Sequence, residues 1–117
     1  MVSKHDANLK HAQCFAEILL HADKLYEKGD NHLEQGLLLF DENAKNIESG
    51  QAWAARQADQ DESAASLASE YPERGAHCLY LRQKPIERIT WFNSALKVAH
   101  IRGFEMLEGI LHGKIAS

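Results

Sequence analysis

Seven histidines and two cysteines are the residues of this chain that come closest to chemistry. His11 and Cys14 stand three apart and Glu17 and His21 four apart, spacings that put two side chains on one side of a helix. Zinc needs three or four convergent ligands, and no second Cys/His pair has comparable spacing. His77 and Cys78 are adjacent and would point in different directions. The di-iron bundle pattern of Glu-x-x-His pairs with further carboxylates is absent. Cysteine catalysis requires a thiolate touching a base, with a third group to orient it. Cys14 and Cys78 both fall in apolar stretches, where a thiol stays protonated and inert. A Gly-x-Ser-x-Gly elbow is missing as well. These residues predict no catalytic site, no bound metal and no cofactor.

The other polar groups have plain readings. Asp59, Asp61 and Glu62 suit helix caps and a solvated turn. Arg82, Lys84 and Arg88 form a small basic cluster, either solvated surface or a seat for an acidic peptide tail. Trp53 and Trp91 could anchor a partner, but each lies among small apolar residues at helical spacing and reads first as core.

The elements that must position these groups are helical. Along residues 6–28, Ala12, Phe15, Ala16, Leu19, Ala22 and Tyr26 recur at three- and four-residue steps. Ser3 or Asp6 can cap this helix, and Gly29 stands where a left-handed residue closes it. Ile18 and Leu25 widen the stripe, so cover on two sides is expected. Residues 31–48 form the next helix, with Asn31 and Glu34 as a capping box and Gly50 as the stop. Its stripe is Leu33, Leu37, Phe40, Ala44 and Ile47, and Gly36 beside it would admit a neighbouring helix closely. The short turn between the two makes them an antiparallel hairpin over 6–49.

Residues 51–82 read as short helices. The first holds Trp53, the next is capped by the aspartates, with Pro72 ending it or starting a new turn, and the third turns Cys78, Leu79 and Leu81 inward. Pro85 opens a helix reaching residue 102. Ile89, Phe92, Leu96 and Ala99 share one face of it, and Trp91, Ala95 and Val98 an adjoining one. Gly103 ends it, and a terminal helix over 104–115 carries Phe104, Leu107, Ile110 and Leu111. Seven to eight helical pieces on short turns predict one domain over 1–117, all-α, built of stacked antiparallel helical hairpins.

Composition agrees. Hydrophobic residues make up 44% and charged residues 26% of 117, a globular balance, and only two prolines occur. The net charge of −4, with basic residues scattered, argues against nucleic acid and anionic membranes as partners. No apolar run approaches the roughly 20 residues that span a bilayer, and the first residues lack a signal peptide's apolar segment. Two distant, unpaired cysteines fit a cytoplasmic setting.

Residues 85–99, with Phe92, Ala95 and Leu96 in order, resemble the second helix of a tetratricopeptide repeat, and 102–105 resemble the turn into the next repeat. Arg88 stands where a small residue is expected, and the Trp, Leu-Gly and Tyr of a first helix are missing upstream. A longer resemblance covers residues 12–108. Ala-Asp-Lys-Leu-Tyr at 22–26, Gly-Leu-Leu-Leu-Phe-Asp at 36–41, Asn46-Ile47, Gly50-Gln51-Ala52-Trp53-Ala54-Ala55 and Tyr71-Pro72 then Gly75 carry it. This order is similar to the helical segment that links NB-ARC-type (STAND) signalling ATPases of bacteria to their tetratricopeptide arrays. The resemblance implies a right-handed superhelix and a non-enzymatic relay module whose ATPase lies elsewhere. No Gly-x-x-x-x-Gly-Lys-Ser/Thr loop occurs to cradle phosphates.

The expected partner is therefore a protein or peptide. The expected surface comprises Arg82, Lys84, Arg88, Phe104, Leu107, Ile110 and Leu111. Because no helix follows the last apolar strip, a homodimer built on residues 86–115 is also expected. The competing reading is a helical bundle that binds a metal or small ligand through its histidines.

Overall fold

The computed structural model describes residues 3–102, and among them the protein is all-α. Helix α1 spans Lys4–Lys28, α2 Asn31–Gln57, α3 Glu62–Arg74, α4 Ala76–Arg82 and α5 Pro85–Arg102. None is long and apolar enough to cross a membrane.

The α1–α2 hairpin is the largest packing unit. Ser3 starts α1 by accepting the Asp6 amide at 3.1 Å. Ala12, Ala16, Leu19 and Ala22 then present a buried face made mostly of methyl groups, which lets α2 approach closely. The chain reverses through two positive-φ residues, Gly29 (φ +70°), where glycine fits without cost, and Asp30 (φ +51°), where an L residue is strained. On α2, a β-carbon at Gly36 would lie 2.5 Å from the Ala22 carbonyl oxygen and 2.8 Å from the Tyr26 nitrogen. Further along, Gly50 faces Ala12, so the two helices are antiparallel.

Helices α3 and α4 run along α1 in the same direction. Asp61 meets His5, Tyr71 meets Ala12, Gly75 meets Leu19 and Cys78 meets Asp23, in ascending order on both sides. Asp61 caps α3 by accepting the Ser63 and Ala64 amides at 2.8 and 3.3 Å. Arg74, in the last turn of α3, ties it to α1 through Glu17 at 2.8 Å. The main core gathers residues of α1 to α4, among them Leu19, Ile47, Tyr71 and Leu79. Helix α5 lies chiefly on α3, with Phe92 and Ala95 buried in a second, smaller core.

Several expectations need correction. Helix α2 does not stop before Gly50 but continues to Gln57, so residues 51–57 are not a separate helix. Gly50 serves tertiary packing instead: the Tyr71 hydroxyl occupies the space its β-carbon would need. The Asn31–Glu34 capping box does not form, because Asp30 is the cap residue and makes no side-chain cap bond. The first turn is closed by backbone, with the His32 amide on the Gly29 carbonyl at 3.0 Å. Pro72 does not end its helix; it sits buried in the last turn of α3, where only one ladder bond is lost before Arg74. Leu81 (46% exposed) and Ile89 (49% exposed) point outward. Phe104, Leu107, Ile110, Leu111 and the expected helix over 104–115 lie outside the described residues.

Candidate functional site

A groove opens between α2, α4 and α5. Two depressions of about 200 and 350 Å³ share Glu48, Glu87 and Trp91 and so form one feature. Phe40, Ile47 and Leu79 make its apolar floor. Trp91 walls it, with its ring edge-on to Tyr71 at 6.1 Å and 79°. That contact places Trp91 at the border of core and groove: it packs on the main core and stays partly accessible. Ile86 lines the outer end and is 73% exposed.

The rim is acidic. Among the described residues, Asp41, Glu48 and Glu87 line it against one cation, Arg82. Arg82 is itself held by Asp41 in a two-point contact, Nε to Oδ1 at 2.9 Å and Nη2 to Oδ2 at 3.1 Å. Gln83 adds a buried Oε1 with no hydrogen-bond partner among the described residues, also in the groove wall.

The three basic residues have separate engagements. Arg82 faces the groove on Asp41, whereas Arg88 donates to the Tyr80 carbonyl at 3.1 Å and lies 4.6 Å above the Tyr80 ring. Lys84 is exposed, and its amide is capped by Glu87 at 3.1 Å.

Trp53 packs half-buried on the core, its ring 5.2 Å from that of His5. His5 meets Asp61 across the open end of the hairpin. This contact first, with the Ala64 and Ser63 amides adding to it, holds the Asp61 carboxyl below the ordinary carboxylate value against an opposing push from burial.

The sulfur groups differ from expectation in one case. Cys14 is exposed, because it lies off the apolar stripe of α1. Cys78 is buried, and desolvation, followed by the Asp23 carboxylate beside it, pushes its thiol up to about 12. His11 rests on Phe15 at 4.7 Å, and Glu17 is engaged by Arg74.

A polar cluster that the sequence reading passed over sits where α1 meets α4. His77 Nδ1 is 2.9 Å from Asp23 Oδ2 and 3.3 Å from Glu27 Oε1. The other Asp23 oxygen accepts the Cys78 amide at 2.9 Å. Asp23 therefore caps α4, whose own cap residue, Gly75, has no side chain to offer. The four-residue step from Asp23 to Glu27 was legible, but His77 comes from 54 positions away along the chain from Asp23.

Comparison with protein-family models, with curated proteins and with solved structures returns no match.

Proposed function

We propose that the protein is a non-enzymatic interaction module whose α2–α4–α5 groove receives a partner segment with apolar anchors flanked by Lys or Arg. The observation that carries this reading is the pairing of an apolar floor with an acidic rim, three carboxylates against one already engaged arginine. Apolar anchors supply affinity in such a groove, and rim charges select the partner. The stacking of α3 alongside α1, after an antiparallel hairpin, supports a tetratricopeptide-like right-handed arrangement. The resemblance of residues 12–108 to the linker of NB-ARC-type signalling ATPases supports a cytoplasmic relay role beside such an enzyme.

Trp91 in the groove wall provides the test. An amphipathic peptide with Leu anchors and flanking Lys should change its fluorescence saturably, and a Glu-flanked counterpart should not. Joint Glu48→Lys and Glu87→Lys substitution should invert that preference. Equal response to both peptides would defeat the reading, as would light scattering that shows the groove taken by a second copy of the chain.

A further inference from the structure

The Asp23–Glu27–His77 cluster offers more than a cap for α4. We propose that these three side chains bind one first-row divalent cation of the zinc class, a function beyond the groove and independent of it.

Ligand atoms bound to one ion at about 2.0–2.2 Å must sit roughly 3–3.5 Å from each other. Of the two edges that meet at His77 Nδ1, the one to Glu27 (3.3 Å) has that spacing and the one to Asp23 (2.9 Å) is just short of it, and all three ligand atoms lie within 4.8 Å of one another. The donors are also held in place. Asp23 is fixed through its second oxygen by the Cys78 amide, and the His77 ring stacks on Tyr26 at 5.7 Å and 26°. Such supporting contacts orient metal ligands and strengthen their binding.

Charge favours the same occupant. Asp23 is only 5% exposed, yet it shares the cluster with a second carboxylate. A protonated imidazole returns one positive charge to the pair; a divalent cation returns two and leaves the ring neutral. An imidazole nitrogen with two carboxylates selects zinc-like ions over magnesium or calcium, which take oxygen ligands. Glu27 and His77 are exposed on their outer sides, so water can complete the coordination shell.

Zinc chloride titrated into chelator-stripped full-length protein, followed by calorimetry, tests the proposal. One ion should bind per chain, and cobalt should give a visible absorption band at the same stoichiometry. His77→Ala and Glu27→Gln should each weaken binding by about tenfold or more, with an unchanged helical circular-dichroism signal because both residues lie at the surface. Zinc should raise the parent's Tm and leave that of His77→Ala unmoved. Joint His11→Ala and His21→Ala substitution should leave binding intact. The proposal falls if about 100 μM zinc does not bind, if affinity survives His77→Ala, or if it disappears with His11 and His21 instead. Any of these results leaves the groove reading standing.

Discussion

The Tyr71 hydroxyl donates a 2.7 Å hydrogen bond to the Ala12 carbonyl, joining α3 to α1 inside the core. Its oxygen fills the space above Gly50 of α2, so one phenol holds three helices together. Burial also drives the ionisation of this phenol well above the ordinary tyrosine value, which keeps the donor protonated.

Tyr71→Phe should cost about 1 kcal/mol, the net worth of a buried hydrogen bond. Gly50→Ala should cost about 1–3 kcal/mol through overpacking against the hydroxyl. Because the added methyl meets the hydroxyl first, the Gly50→Ala penalty should shrink by at least about 0.5 kcal/mol in the Tyr71→Phe background. Urea melts of the four proteins provide the measurement, and strictly additive losses would mean that the two residues do not touch.

On α2, Phe40 and Leu37 should separate. Phe40 is 6% exposed and its change to Ala should cost about 3–5 kcal/mol. Leu37 packs only partly on the core, and its change to Ala should cost about 1–2 kcal/mol. Thermal melts that reversed this order would place the wrong side of α2 in the core.

The two thiols should react unequally. With a thiol reagent under native conditions, Cys14 should label at once and Cys78 only after denaturant is added. Cys14→Ser should abolish the fast phase. Two fast thiols per chain would show that α4 detaches readily from α1.

Acid should weaken the protein partly through Asp61. Its folded-state pKa is depressed, so the stability it contributes is present above the unfolded value near 3.9 and is lost as pH falls through the folded value. Asn is an equally good helix cap, so Asp61→Asn should retain α3 while flattening the fall of Tm below about pH 4. Parallel Tm curves for the two proteins would remove His5–Asp61 from the account.

The helices were legible because their apolar period is written locally. The stripe through Phe40 and Ile47 and the cap at Asp61 needed no knowledge of neighbours. Gly50 was not legible: a glycine after a helical run stops a helix or admits a neighbour, and Tyr71, 21 positions on (71 − 50), decides which. Cys14 lies among apolar residues in sequence but off their shared face in space. The groove was half visible, since Phe40, Ile47, Leu79 and Trp91 were all marked as apolar face residues. Its acidic rim appears only when Asp41 and Glu48 of α2 come opposite Glu87 of α5.

Gly36 and Gly50 are 14 positions apart (50 − 36), close to four turns and about 21 Å along α2. They mark two notches on one side of the helix, one against Ala22 and Tyr26 and the other against Ala12. At Gly36 the neighbours are α1 backbone atoms, which cannot swing aside, so any side chain there would force the two helices apart. At Gly50 the nearest atom is the Tyr71 hydroxyl, so a side chain there would press first on α3 and only then on α1.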